Sequence, residues 1–69
     1  MTQCDRIMRH LNYVGPITAA EAITEYGIYR LAARIADLKA KGVPIAREML
    51  SMKNRYGETV SYARYSLEV

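Results

Sequence analysis

Apolar residues recur at spacings of three and four up to about residue 42 and then at spacings close to two, so the chain reads as a helical part followed by strands. Thr2 followed by Asp5 is a helix-start signal, and Ile7, Leu11 and Val14 fall on one stripe until Gly15 and Pro16 stop it. That predicts a first helix of about twelve residues. After Ile17, Thr18-Ala19-Ala20-Glu21 is a capping box, in which the threonine accepts from a backbone amide and the glutamate bonds back to the cap. The short helix it opens, with Ala19, Ala20, Ala22 and Ile23 fit for close packing, ends at Tyr26-Gly27 on a left-handed glycine. A third helical pattern places Leu31, Ile35 and Leu38 on one face and Tyr29, Arg30, Ala33, Arg34, Asp37 and Lys41 on the other, up to Gly42. Pro44 cannot continue it. IAREMLSMK and ETVSYARYSL then predict two strands joined by Asn54-Arg55-Tyr56-Gly57. Ala63, Tyr65 and Leu67 share a face of the second strand, whereas Ile45, Met49, Leu50 and Met52 share none in the first, which a bulge would reconcile.

At 69 residues the expectation is one domain spanning 1–69, with a core that is adequate in composition and marginal in size. Cys4 is the sole cysteine and His10 the sole histidine, so neither an intramolecular disulfide nor a Cys-rich zinc site is expected, and no cofactor. Cys4 reads as a small buried hydrophobe and His10 as a residue on the polar side of the first helix. Tyr13, Tyr26, Tyr62 and Tyr65 read as core-rim residues with hydroxyls reaching water. No apolar run approaches the ~20 residues of a membrane span, and the first ten residues lack the apolar stretch of a signal peptide. A soluble, cytoplasmic protein without membrane contact is the expectation.

Charge changes the picture more by its placement than by its total of +3. Residues 27–57 hold seven basic side chains against two acidic, a net +5, and the remainder of the chain is −2. Such concentration suits a segment that meets a polyanion, or equally a solvated helix face followed by a basic loop.

The order helix, helix, helix, hairpin, with a tight turn at Tyr26-Gly27-Ile28, predicts an α+β fold: a three-helix helix-turn-helix core with a C-terminal β-hairpin wing. The stretch ITAAEAITEYGIYRLAARIADLKAKG and the NRYG wing tip resemble the winged helix-turn-helix fold, and more narrowly the small helix-turn-helix proteins of phages and prophages. The resemblance implies binding of double-stranded DNA in the regulation of transcription or of phage development.

On physical grounds the segment from Tyr29 to Lys41 would run about 18 Å as a helix, long enough for a major groove about 12 Å wide. Arg30, Ala33 and Arg34 are the expected base readers, an arginine there offering two donors to guanine and the alanine permitting close approach. Tyr29 is expected at a phosphate, as are first-turn amides of the second and third helices, with Lys39 and Lys41 along the backbone. Lys53, Asn54, Arg55 and Tyr56 would reach a phosphate or the adjacent minor groove from the wing. Each has a plainer counterpart: Arg34 can pair with Asp37 at i+3, Tyr29 can pack at the turn, and the wing tip can be a polar hairpin loop.

Catalysis has no foothold in the pattern, since Glu21 is explained by the capping box and no nucleophile triad, phosphate loop or metal spacing occurs. A non-enzyme is expected. Two functions remain open: a sequence-specific DNA-binding regulator, whose specificity a homodimer on paired half-sites or a partner protein would supply, with the first helix or the final strand SYARYSLEV as the candidate dimer surface, and a protein-interaction module that binds and inhibits a host nucleic-acid-handling complex.

Overall fold

A computed structural model describes residues 2–68. Its elements follow in the order α1 (Gln3–Tyr13), β1 (Ile17–Thr18), α2 (Ala19–Tyr26), α3 (Leu31–Ala40), β2 (Ile45–Lys53) and β3 (Thr59–Leu67). The first two helices start at the two threonines that the pattern singles out. Thr2 accepts from Asp5 N–H and Thr18 from Glu21 N–H, while each acid bonds back to the threonine's own amide, so both capping boxes close.

Gly27 ends α2 at φ 66°, a left-handed conformation that costs a glycine nothing. The amide of Ile28 then reaches back to Ala22 C=O at 3.0 Å, and the Ile28 side chain is fully enclosed. Such a cap reverses the chain and anchors the turn through an apolar plug. Tyr29 and Arg30 therefore belong to the turn, and α3 begins two residues later than the sequence pattern predicts, at Leu31. Lys41 is likewise its C-terminal cap rather than part of it. Ten helical residues make α3 about 15 Å long.

The core unites the helical stripes with one face of the sheet: Ile7, Leu11, Ile17, Ala22, Ile28, Leu31, Ile35, Leu38, Ile45 and Tyr65 are buried together. Cys4 packs half-buried against this cluster. Four of the expected positions differ, those of Val14, His10, Tyr13 and Tyr65. Val14, placed on the core stripe by spacing, is the cap beyond α1 and is 71% exposed, because the chain turns away at Gly15. His10 is buried at 4% exposure instead of lying on the polar side. Its Nε2 lies 3.1 Å from Pro16 C=O and its Nδ1 2.7 Å from the Tyr26 hydroxyl. A carbonyl only accepts, so Nε2 carries the proton and Tyr26 donates to Nδ1. The four tyrosines also separate: Tyr13 projects into solvent, Tyr62 is at the margin of exposure, Tyr26 is tied to His10 and Tyr65 is a core residue.

The sheet has the order β1-β3-β2. β2 and β3 pair without interruption from Ile45↔Leu67 to Lys53↔Thr59, so there is no bulge. The mixed apolar pattern of β2 has another cause. Ile45 is buried under the helices, but beyond it the hairpin extends past the body, where Met49 and Met52 are exposed on opposite faces. β1, a strand of two residues absent from the sequence expectation, adds Ile17↔Tyr65 and Thr18↔Arg64. The final strand is thus central in the sheet, which removes SYARYSLEV as a free dimerising edge along Arg64 and Tyr65; its last residue, Val69, lies outside the described residues.

Candidate nucleic-acid interface

With Leu31, Ile35 and Leu38 turned to the core, the rotation of about 100° per residue along a helix fixes the directions of the other α3 side chains. Ala33, Ala36, Asp37 and Ala40 fall opposite the core. Arg34 and Lys41 lie on one flank, and Lys39 and Ala32 on the other. The outward surface is therefore made of small residues and one carboxylate, and the basic residues border it.

The Lys39 flank faces the wing. Ala32, Ile35, Ala36 and Lys39 form one wall of an open cleft of about 320 Å³ whose other wall is Arg47 and Tyr65. Arg47 is opposite Tyr65 in the register, so both project from the helix-facing side of the sheet. A second open cleft of about 340 Å³ continues along α3 to its start, bounded by Ala19, Tyr29, Arg30, Leu31, Ala32, Ala33, Ala63 and Tyr65. The two share Ala32 and Tyr65 and so form one trough between α3 and the sheet. Tyr29 and Arg30 stand at one end, Lys39 and Arg47 at the other.

The start of α3 differs from that of α2 in a way that affects this trough. α2 has its first-turn donor at Glu21 satisfied by Thr18, whereas Arg30, the cap of α3, makes no side-chain bond to the helix. The first amides of α3, beside Tyr29 and Arg30, thus lack the side-chain acceptor that α2 has.

On the opposite flank, Arg34 Nε is 3.3 Å from Asp37 Oδ2. Lys41 lies toward α1, where its charge is one of the smaller influences on Asp5. The Asp5 carboxyl is held below the usual aspartate value, first by the Thr2 backbone N–H, then by the Thr2 side chain. Neither Arg34 nor Lys41 lines the trough.

At the wing tip Asn54 has an internal task. Its Oδ1 accepts from Tyr56 N–H at 2.9 Å and Glu58 N–H at 3.1 Å, and its Nδ2 donates to Glu58 Oε1 at 3.3 Å. This is the local side-chain mimicry that turns demand. Lys53, Arg55 and Tyr56 are left projecting, with Tyr56 78% exposed.

The structure thus brings Tyr29, Arg30, Ala33 and Lys39 to one trough, sets Arg34 and Lys41 on the far flank, and carries Lys53, Arg55 and Tyr56 out on the hairpin. One residue of this surface escapes the sequence reading. Arg47 enters only through a charge sum, although its alternation with Ile45 would have placed it on the helix-facing side.

Three helices, a turn that hands α2 to α3, and a hairpin packed beside α3 define a winged helix-turn-helix domain. The chain matches the family model described as a winged helix-turn-helix domain over residues 2–69, and it belongs to that family. The family is a DNA-binding one and makes DNA the implied partner. No curated protein and no solved structure matches the chain. No helix among the described residues is long and apolar enough to cross a membrane.

Proposed function

We propose that residues 1–69 act as one module that binds double-stranded DNA with sequence preference, as a small transcriptional regulator of the phage type. The observation that carries this reading is the trough, where Lys39 from the helix and Arg47 from the sheet face one space beside the small-residue surface of α3. In this account Ala33, Ala36 and Ala40 let the helix enter the major groove closely and meet thymine methyl groups. Arg34 and Asp37 supply the polar readout, a donor fork for guanine and an acceptor for the cytosine amino group. Tyr29, Arg30 and the first-turn amides of α3 hold phosphates on one side of the groove, and Lys39 and Arg47 hold them on the other. Lys53, Arg55 and Tyr56 reach the next minor groove or its backbone, on a tip that Asn54 shapes. Lys41, set toward α1, adds long-range attraction.

Selection of bound sequences from a random duplex pool tests the proposal. Enrichment of a motif is expected, and recovery of an unbiased pool at every salt concentration would contradict sequence preference.

A second reading, a module that inhibits a host nucleic-acid-handling complex, draws on a separate observation. Tyr29 and Tyr56 are each 78% exposed, and exposed aromatic residues are the anchors protein interfaces use. Binding to a host protein with no affinity for any duplex would favour it.

A further inference from the structure

We propose that two copies of the protein pair edge to edge through β2, antiparallel and centred on Met49. The proposal does not depend on the DNA reading; it comes from the hairpin's own hydrogen bonds. Asn54 N–H donates to Glu58 C=O at 2.9 Å and Glu68 N–H to Pro44 C=O at 2.9 Å, and both pairs continue the β2–β3 register at its two ends. Bonded pairs alternate along an antiparallel ladder. Ala46, Glu48, Leu50 and Met52 therefore turn their backbone groups to β3, while Ile45, Arg47, Met49, Ser51 and Lys53 turn theirs outward. β2 is the margin of the sheet, with neither proline nor bulge in its nine residues. A row of outward donors and acceptors on such a strand is a template for another strand.

Charge limits the register in which a second copy of this strand can pair. Around a two-fold axis each residue meets its mirror position, and like charges directly opposite are unfavourable. An axis at Arg47 or at Glu48 sets that residue against itself. An axis at Leu50 sets Arg47 against Lys53 of the partner subunit, and one at Ser51 shortens the overlap and brings Arg47 to the partner's Arg55. An axis at Met49 alone keeps all nine residues, with Arg47 facing the partner's Ser51 and Ile45 the partner's Lys53. All outward groups are then used, in about ten backbone hydrogen bonds.

The apolar residues that DNA contact leaves unexplained fit the same arrangement. Leu50↔Tyr62 and Met52↔Val60 lie side by side on the face of the hairpin away from α3, and Met52, Val60 and Tyr62 are exposed. With the axis at Met49, Leu50 and the partner's Leu50 become diagonal neighbours about 7–8 Å apart and the two patches merge into one, while Glu48 and the partner's Glu48, diagonal in the same way, each keep an Arg64 as counter-ion. Met49, 56% exposed, meets the partner's Met49 on the other face. Because the axis is perpendicular to the sheet, both copies keep α3 on the same side.

Sedimentation equilibrium of the full chain gives the first test, and twice the chain mass is expected at about 100 µM. Met49→Lys sets two ammonium groups on the axis and leaves every bond within the hairpin intact, so it should give a monomer with an unchanged circular dichroism spectrum. Met49→Cys in a Cys4→Ser background locates the axis. A bonded pair holds its Cα atoms about 5.5 Å apart, within disulfide range, so this variant should oxidise to a covalent dimer. Ser51→Cys in the same background should not. A monomeric wild type, a dimer that survives Met49→Lys, or cross-linking at residue 51 as complete as at residue 49 would each overturn the proposal.

Discussion

Arg34 Nε lies 3.3 Å from Asp37 Oδ2, one turn along α3, too poorly aligned for a hydrogen bond. An ion pair this exposed contributes at most about 1 kcal/mol, so DNA can draw the guanidinium away from it. Asp37 itself opposes a phosphate surface. Asp37→Ala should raise affinity for random duplexes about fivefold at low salt, the equivalent of one unit charge pair at about 4 Å in water. It should at the same time weaken preference at one base pair. Titrations against a selected site and a scrambled one measure both changes.

Asn54 shapes the wing tip and the neighbouring cations touch the ligand, so their variants should behave differently. Asn54→Ala removes the acceptor of two backbone amides and should cost about 1 kcal/mol of stability together with part of the DNA affinity. Asn54→Asp keeps that acceptor but exchanges the Nδ2 donor for a carboxylate facing Glu58, so it should recover only part of the stability, and more of it in a Glu58→Gln background. Lys53→Ala and Arg55→Ala should leave stability unchanged, weaken all duplexes alike and reduce the salt slope by about one unit for each phosphate no longer neutralised. Chemical denaturation and salt-dependent anisotropy separate the two kinds of effect.

The link from His10 to Tyr26 joins α1 to the end of α2, directly before the turn that leads to α3. Tyr26→Phe leaves His10 Nδ1 buried without its donor and should cost about 1–3 kcal/mol. In a domain of this size each kcal/mol lowers Tm by about 4–8 °C, readily seen in a thermal scan. Binding at a temperature where the variant remains folded should be unaffected, because neither residue borders the trough.

Acid should weaken α1 through Asp5. Its folded pKa is depressed, so the stability it contributes is present above the unfolded value and disappears as pH falls through the folded one, below about pH 4. Asp5→Asn should flatten that part of the stability profile. Denaturation midpoints of the two proteins from pH 5 to pH 2 make the comparison.

Most of the fold is legible in the chain because its signals are local. Both capping boxes, the left-handed Gly27, the Leu31-Ile35-Leu38 stripe and the span of β2 follow from neighbours within a few residues. The departures arise where distant parts meet. Spacing assigns Val14 to the core and His10 to the surface, yet the path of the chain through Gly15 and Pro16 exposes one and gives the other a carbonyl to bond. A bulge would force the β2 pattern onto one buried face, whereas the outer hairpin has no buried face. Of the candidate interface, the structure splits the face on which the pattern groups Tyr29, Arg30, Ala33, Arg34 and Lys41, and only the residue types are readable. Which flank of α3 faces the wing is not, since that depends on the helix-to-sheet packing that brings Arg47 to Lys39.

The most direct test of the DNA-binding account is fluorescence anisotropy of the wild type and of Lys39→Ala/Arg47→Ala on one duplex pool at about 50 and about 200 mM salt. The account predicts that the wild type binds at low salt and loses affinity steeply as salt rises. The double variant, folded to the same extent, should bind more weakly with a salt slope smaller by about two. No binding by the wild type at low salt, or equal binding by both proteins with equal slopes, would contradict it.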